Sequence, residues 1–206
     1  MKKNEIIEMI DILKETYPEA KCSLNFSTPF ELLVAVMLSA QCTDERVNKV
    51  TPNIFDKYNT PYDFAKLDVT EIEELIKSCG FYKNKAKNLK LCSEQLINNF
   101  NGKVPNTMEE LTSLAGIGRK SANVILLDAF DICEGVAIDT HAKRISNRLG
   151  LSSNTDPVKI EMDLIKKIPK DYLKHVNHLL VFHGRNFCTA RNPKCDTCPV
   201  KKYCKH

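Results

Sequence analysis

The stretch from Leu111 to Ala122 reads LTSLAGIGRKSA, and it sets the interpretation of the whole chain. Leu111 and Leu114 place an apolar face on a short helix. Gly116 and Gly118 allow the positive φ and the close backbone approach that a tight turn requires. The stretch therefore predicts two helices joined by a glycine turn.

The residues around this turn also favour an anion-binding site. Ile117 can fill the space between the two helices, and Ala122 is small enough to let them pack closely. The second helix begins near Arg119, so its free N–H groups face the turn, where they attract a phosphate without reading base identity. The alternative is an ordinary helix connection. The combined pattern favours nucleic-acid backbone binding, with Gly116 and Gly118 against the DNA.

Lys120 lies in the first turn of the second helix, where a cation is unfavourable. It is either one more phosphate-binding or solvent-facing lysine, or an amine nucleophile. A lysine with the ordinary pKa of about 10.4 is almost entirely charged at pH 7. The helix end and Arg119 both favour the neutral amine, but they supply too little. The nucleophile hypothesis therefore also expects Lys120 to be desolvated in a pocket.

A second candidate site lies 19 residues later, at Asp139. An aspartate before a helix is commonly an N-cap, and a carboxylate there stays ionised, which also suits stabilising a cationic sugar or moving a proton. The helix that follows carries Lys143, Arg144 and Arg148, which suit either phosphate binding or a solvated face. His141 is predicted to contact a phosphate or to pack as a polar residue, rather than to bind a metal.

Four of the nine cysteines lie within 17 residues, and their spacing, C-x6-C-x2-C-x5-C, predicts a shared metal centre. So short a segment cannot bury a core, whereas four thiolates on one centre would organise it. Zinc and an iron–sulfur cluster are both compatible with the spacing. The four residues are Cys188, Cys195, Cys198 and Cys204.

The same end of the chain is the most basic. Residues 183–206 carry six Lys or Arg and one Asp, net +5, while the other residues carry 24 basic and 25 acidic side chains, net −1. A basic end on a near-neutral body is typical of a protein that binds a polyanion, although a solvated tail is the simpler alternative. Arg191 and Lys194 would form the exposed, DNA-binding tip of the cysteine segment.

Composition excludes several other classes of protein. The longest apolar run, residues 32–38, has seven residues, far below the roughly 18 that a membrane span needs. Acidic residues interrupt the N-terminal segment, so no secretory signal is expected, and an odd number of cysteines, nine, disfavours a secreted disulfide scaffold. A cytoplasmic protein is expected, associated with the nucleoid because its partner would be DNA.

Apolar periodicity is helical nearly throughout, and no convincing period-2 run occurs. We therefore predict an all-α fold of about eight to ten short helices. The last long helix is predicted from about residue 172 to residue 183, and a seam between two lobes at residues 131–135. The residues expected to cap helix N-termini are Thr28, Asp44, Thr70, Thr107 and Asp156.

Several of these features occur together in one known family. Residues 114–120 (LAGIGRK), residues 138–141 (IDTH) and the cysteine spacing resemble endonuclease III. Two more stretches are similar to it, residues 39–44 (SAQCTD) and residues 80–86 (GFYKNKA). On these motifs the chain resembles the endonuclease III family, the DNA glycosylases and apurinic/apyrimidinic lyases of the helix–hairpin–helix superfamily.

The resemblance implies an all-α, two-lobed helix–hairpin–helix glycosylase fold and a bound [4Fe-4S] cluster. One lobe, a six-helix barrel, would comprise residues 22–132, with the hairpin at about 108–129. The other would be discontinuous, with residues 1–21 and 133–206 forming the iron–sulfur lobe. Its cluster loop would be residues 188–204, with the four cysteines as ligands.

The resemblance also implies a bifunctional enzyme of base excision repair. The protein, expected to be a monomer, would bind double-stranded DNA that carries a damaged pyrimidine or an abasic site. An oxidised or ring-saturated pyrimidine would be flipped into a pocket between the lobes. Lys120 would attack C1′ of the sugar, form a Schiff base and break the strand by β-elimination, assisted by Asp139. Gln41 would enter the vacated stack beside a wedge that includes Phe81 and Tyr82.

Four positions depart from the family pattern, and two other functions stay open. The departures are Ala115 for a usual Pro, Ser121 for a usual Thr, Phe81 for a usual Leu and Asn186 for a usual aromatic residue. The first alternative function is that of an adenine-mismatch glycosylase, which Lys120 argues against. The second is that of a non-catalytic DNA-binding module with a zinc-bound tail.

Overall fold

The computed structural model describes residues 1–206, which form helices joined by turns and loops, with no strand. There are eleven α-helices and two 3-10 turns. The predicted all-α fold is confirmed, but the expected number of eight to ten helices is too low. The helix Pro61–Lys66, for example, has six residues, which is too short to show a clear period. None of the helices combines the length and the apolar character that a membrane crossing needs.

The chain divides into two compact units, here called the central unit and the terminal unit. The central unit is Cys22–Ile132, and the terminal unit joins Met1–Lys21 to Cys133–His206. Seven helices form the central unit. They are α2 (Pro29–Ser39), α3 (Asp44–Phe55), α4 (Pro61–Lys66), α5 (Val69–Ile76), α6 (Tyr82–Phe100), α7 (Met108–Ser113) and α8 (Arg119–Phe130).

The core of the central unit is built around α2. Every residue from Phe30 to Leu38 is buried, so this helix is enclosed on all sides. It packs against α3, α6 and α8. The Thr28 hydroxyl caps α2 by accepting a hydrogen bond from the Glu31 N–H at 3.2 Å, and Pro29 occupies the first helical position, where its missing N–H is harmless.

Three of the predicted N-terminal caps are confirmed and two are wrong. Those confirmed are Thr28, Thr107 and Asp156. In α3 the cap is Thr43, whose hydroxyl accepts from the Arg46 N–H, and Asp44 is the first helical residue. In α5 the cap is Asp68, and Thr70 lies inside the helix. In both places two capping residues stand within two positions of each other, and the pattern alone does not decide which of them takes the extended backbone that a cap requires.

The terminal unit has its own core. Its four helices and two 3-10 turns are α1 (Lys3–Thr16), α9 (Thr140–Arg148), α10 (Pro157–Lys167), α11 (Lys170–Asn186), Cys195–Thr197 and Lys201–Tyr203. Helices α1, α9 and α10 each pack against α11. Helix α11 is longer than predicted at both ends, because Pro169 already serves as its N-cap. Val200, between the two 3-10 turns, is fully buried and anchors the cysteine segment in this core.

Candidate functional site

The glycine turn between α7 and α8 is held by its apolar residues. Leu111, Leu114 and Ile117 are all buried in the core of the central unit. The side-chain oxygen of Gln95 accepts a hydrogen bond from the Ala115 N–H at 2.7 Å. This bond fixes the turn at a position where the family pattern has a proline, so a side chain from α6 supplies some of the order that a proline ring would otherwise give.

The two glycines of the turn have different roles. Gly116 has a φ of +78°, and a Cβ there would lie 2.7 Å from the Met37 Cε atom. Gly118 has a φ of −97° and is the extended N-cap of α8, and a Cβ there would meet nothing within 4 Å. The expectation of a positive φ at Gly118 is therefore wrong. Its bare backbone faces open space, while Gly116 is required by the fold.

Lys120 is an exposed residue in the first turn of α8. Gly118 has no side chain, so the first N–H groups of α8 receive no hydrogen-bond acceptor from their N-cap residue. The expected desolvation of Lys120 is not present in the protein alone. Any burial that favours the neutral amine has to come from the ligand that covers this surface.

Asp139 lies in the terminal unit, as the N-cap of α9. Its Oδ1 atom accepts a hydrogen bond from the Ala142 N–H at 2.7 Å, and the side chain is half-buried. The buried residues 136–138 lead into it and fix its position. The capping interpretation is thus correct as geometry. The capping hydrogen bond uses one oxygen of the Asp139 carboxylate, so the second oxygen is compatible with another role.

The basic side chains of α9 bind the cysteine segment. The Arg144 guanidinium donates to the Cys188 carbonyl at 2.8 and 2.9 Å and contacts the His141 Nδ1 atom at 3.1 Å. Arg148 donates to the Thr189 carbonyl at 3.0 Å and to the Cys188 sulfur at 3.3 Å. Both arginines therefore fasten the segment to α9. The predicted DNA contacts of His141, Lys143 and Arg144 stay predictions, and Lys143 is half-buried.

The four clustered cysteines form no disulfide, and all four line a single cavity of roughly 190 Å³. No three His, Cys, Asp or Glu side chains are arranged to hold a single metal ion. A zinc ion requires thiolate sulfurs at about 2.3 Å from one centre. A cubane cluster takes each thiolate on a different iron atom, so its ligands stand farther apart. Thiols spread around one cavity therefore fit an iron–sulfur cluster better than zinc.

A buried histidine borders the same cavity. His183 is 1% exposed, and its Nε2 atom lies 3.6 Å from the Cys198 sulfur. Its Nδ1 atom lies 3.1 Å from the Tyr17 hydroxyl, and its ring stacks on Phe187. Burial lowers the pKa of His183 to about 4. The ring is therefore neutral at pH 7, which suits a hydrogen-bonding neighbour of a cluster ligand.

Two loops of the central unit carry the residues predicted to enter the DNA stack. Gln41 and Phe81 are exposed, and they are two of the four non-glycine residues with a positive φ, at +53° and +58°. Phe81 is the most exposed large apolar side chain, at 65%. Tyr82 begins α6 and is half-buried. Strained and exposed residues of this kind occur where a ligand contacts the protein.

The tip of the cysteine segment is also exposed. Arg191 and Lys194 both face solvent, and the Lys194 ammonium lies 6.0 Å from the centre of the Phe187 ring. Tyr17 and Lys85 are neighbours of these candidate sites that the sequence does not single out. Tyr17 is 166 residues from its partner His183. Nothing in the local pattern around Lys85 distinguishes it from the exposed lysines beside it.

Comparison with known proteins matches most of the chain. Residues 34–170 match the HhH-GPD superfamily of base excision DNA repair proteins, and residues 188–204 match the iron–sulfur binding domain of endonuclease III. Endonuclease III of Synechocystis is 50% identical, covering 98% of this chain and 93% of that protein. Endonuclease III of Escherichia coli K12 is 38% identical, covering 100% and 97%.

Solved structures are similar over the same extent. A trapped endonuclease III–DNA covalent intermediate superposes with a TM-score of 0.94 at 42% identity, covering 100% of this chain and 96% of that one. A non-covalent endonuclease III–DNA complex gives 0.93 at 42% identity with the same coverage. A thermostable thymine-DNA glycosylase gives 0.88 at 22% identity, covering 98% and 96%, which is a likeness of fold alone.

Proposed function

This chain belongs to the endonuclease III family of the HhH-GPD superfamily, and on that premise we propose that it excises oxidised or ring-saturated pyrimidines from double-stranded DNA and cleaves the resulting abasic site. It is a DNA glycosylase and lyase of base excision repair that carries a [4Fe-4S] cluster. The observation that carries the proposal is Lys120, exposed on the first turn of α8 and two residues after the open backbone of Gly118. We infer that it acts in the cytoplasm, at the nucleoid, where its DNA substrate would lie.

DNA binds first through its backbone. The positive end of the α8 dipole attracts a phosphate, and the absence of a Cβ at the N-cap Gly118 lets the phosphate approach the main chain. Exposed basic residues, including Arg191 and Lys194, add charge that does not depend on sequence. This mode of binding suits an enzyme that has to find damage in any sequence context.

The bound nucleotide then supplies the burial that Lys120 lacks in the free protein. Covering the ammonium with the substrate disfavours its charged form. The neutral amine forms a bond to C1′ as the bond from C1′ to the base breaks, and the base leaves with a proton. The sugar ring opens to an imine on the Lys120 nitrogen. Loss of a C2′ proton then expels the 3′ phosphate, which breaks the strand.

Asp139 assists the departure of the base. One of its carboxylate oxygens accepts a hydrogen bond from the Ala142 N–H, at the positive end of the α9 dipole. An ionised carboxylate stabilises the positive charge that develops on the sugar and accepts a proton during the later steps. We assign Lys120 the nucleophilic role and Asp139 the electrostatic and proton-transfer role.

Gln41 and Phe81 replace the contacts that the flipped nucleotide gives up. The exposed Phe81 ring wedges into the stack, with Tyr82 beside it, and the Gln41 amide occupies the vacated space. Stacking and hydrogen bonding by these side chains offset the few kcal/mol that unstacking a base costs. An aromatic wedge also stacks on its neighbouring base pair more broadly than an aliphatic one would.

The iron–sulfur cluster is held by Cys188, Cys195, Cys198 and Cys204. When bound, it supplies metal–thiolate bonds that fix a segment too short to have a core of its own. Arg148 and His183 hydrogen-bond to two of these sulfurs, and Val200 anchors the segment from within. The alternative of a zinc-bound, non-catalytic module is set aside, since residues 188–204 match an iron–sulfur domain.

Borohydride trapping on abasic DNA tests the proposal. The wild-type protein is expected to form a covalent adduct, because the reductant fixes the imine on Lys120. Lys120→Gln should bind the same duplex and form no adduct, while Lys87→Gln, which changes an exposed lysine of α6, should trap like the wild type. An adduct in Lys120→Gln would assign the reaction to another amine. A duplex with 8-oxoguanine opposite adenine should not be cleaved, which separates this activity from that of an adenine-mismatch glycosylase.

A further inference from the structure

The Gln41 and Phe81 loops are held in conformations that their residues do not prefer. Both residues have a left-handed backbone, which is common only for glycine. Such a conformation persists only where the surrounding structure enforces it. Packing of the two side chains does not enforce this backbone conformation, because both side chains are exposed. The restraint has to come from the elements beneath them.

The two loops lie against each other. A Cβ at Gly80 would stand 3.3 Å from the Gln41 carbonyl oxygen, so the Gln41 backbone lies against the residue that precedes Phe81. One residue farther in, the Cys79 thiol is buried beside the Cys42 thiol. Burial, together with the neighbouring Cys42, raises the pKa of Cys79 to about 11, which keeps the thiol neutral. The loops therefore form one contiguous layer.

Lys85 joins the helices from which these loops emerge. It is 6% exposed, and its Nζ atom donates to the Leu38 carbonyl at 2.8 Å, in the last turn of α2 and three residues before Gln41. Its own backbone N–H donates to the Phe81 carbonyl at 3.2 Å, which closes the first turn of α6. Lys85 is thus bonded both to the end of α2, which precedes Gln41, and to the Phe81 carbonyl at the start of α6.

The placement of this cation is physically specific. The last carbonyls of a helix lack intrahelical partners and carry partial negative charge, so an ammonium there is favourable. The ionisable groups that face Lys85 are the Cys42 and Cys79 thiols, both of which belong to the same two loops. Burial lowers the pKa of Lys85, and the hydrogen bond to the Leu38 carbonyl offsets part of the loss of water.

We propose that Lys85 is a positioning residue that locks the Gln41 and Phe81 loops into a single preformed wedge for entering the DNA stack. The inference rests on the proposed function, in which these two side chains replace a flipped nucleotide. A preformed wedge has no loop to order when it enters the duplex. A single-stranded abasic site has no stack to enter, so Lys85 has no part in its reaction with Lys120.

The test compares duplex and single-stranded substrates for two variants. Lys85→Met removes the buried ammonium at nearly constant volume, and Lys87→Met removes an exposed one from the same helix. For Lys85→Met we expect cleavage of thymine glycol in duplex DNA to slow by about tenfold or more, with unchanged borohydride trapping on a single-stranded abasic oligonucleotide. Lys87→Met should match the wild type in both assays.

Amide hydrogen exchange gives a readout that needs no activity. Lys85→Met should raise exchange in residues 39–42 and 80–82 together, and Lys87→Met should raise it in neither. Equal losses on the two substrates, an unchanged duplex rate, or exchange that rises in one loop only would each overturn the inference. If Lys85→Met does not fold, Lys85→Gln goes through the same assays, with a smaller selective loss expected. If the wild-type protein forms no covalent adduct with abasic DNA, the proposed function is refuted. The amide hydrogen exchange of Lys85→Met then still decides whether Lys85 holds the two loops.

Discussion

Replacing each glycine of the α7–α8 turn by alanine separates folding from DNA binding. At Gly116 the added methyl group meets both a conformational and a steric obstacle. The φ of +78° is left-handed, which costs an L-residue about 1–2 kcal/mol. The Cβ would also stand 2.7 Å from the end of the Met37 side chain and 3.0 Å from the Asn88 Cβ atom.

The magnitude follows from these distances. The Met37 methyl group is at the end of a flexible side chain and can move, but the Asn88 Cβ atom is tied to α6, so the squeeze adds on the order of 1 kcal/mol. The loss of chain freedom in the unfolded state returns about 0.4–1 kcal/mol. We expect Gly116→Ala to lower the free energy of unfolding by about 2 kcal/mol, or the Tm by about 4–8 °C for a chain of this size.

Gly118→Ala is the matched control for folding. Its φ of −97° is allowed for alanine, and its Cβ would meet nothing within 4 Å. The gain of about 0.4–1 kcal/mol from the less flexible unfolded chain is offset by the weaker capping of alanine at an N-cap, so stability should stay within about 0.5 kcal/mol of the wild type. The methyl group would instead stand where we place the phosphate. The Kd for an abasic-site duplex should therefore rise about tenfold, or by about 1.4 kcal/mol.

Circular dichroism during thermal and urea unfolding, and fluorescence anisotropy with a labelled duplex, measure the two effects. Gly116→Ala should show the larger loss of stability, and Gly118→Ala should lose affinity while keeping the wild-type unfolding curve. If Gly118→Ala binds DNA as tightly as the wild type, the phosphate does not approach this backbone. If Gly116→Ala is as stable as the wild type, the turn relaxes and the argument from its φ fails.

Two further predictions concern the terminal unit. Asp139→Asn keeps an N-cap of nearly equal strength, so the free energy of unfolding should stay within about 0.5 kcal/mol of the wild type. The rate of base excision should fall by about 10²–10⁴-fold. Excision at the wild-type rate would show that Asp139 takes no part in the reaction. Arg148→Met loses the hydrogen bonds to the Cys188 sulfur and the Thr189 carbonyl, and loss of visible absorbance in the presence of an iron chelator should become about tenfold faster. Voltammetry of the same variant should give a lower cluster potential, since hydrogen bonds to sulfur favour the reduced state, and an unchanged potential would contradict that role.

The fold could be predicted from sequence wherever a long apolar period or an unambiguous cap was present. Helices α2 and α8 follow from their caps and turns, and the all-α class follows from the period of the whole chain. The N-caps of α3 and α5 could not be predicted correctly. Next to Asp44 and near Thr70 stands another residue that can cap a helix, and the pattern does not decide between the two. The six residues of α4 are too few to carry a period.

In the candidate site, too, a residue can be predicted only where a local sequence motif marks it. Lys120 and Asp139 stand out because a local motif surrounds each of them. The hydrogen bond between Arg148 and the Cys188 sulfur joins residues 40 positions apart, and the contact between Tyr17 and His183 joins residues 166 positions apart. No local sequence pattern predicts contacts over such separations. The burial of Lys85 is equally invisible, since most lysines are exposed.

The terminal unit is assembled from both ends of the chain, and this has a consequence during synthesis. The apolar face of α1, which includes Ile6, Met9 and Leu13, leaves the ribosome before its partner α11, which is translated more than 150 residues later. The last of the four cysteine ligands, Cys204, is made later than α11. The nascent chain therefore has to shield α1 until α11 has been made, and the four-cysteine site cannot be completed before Cys204 has been made.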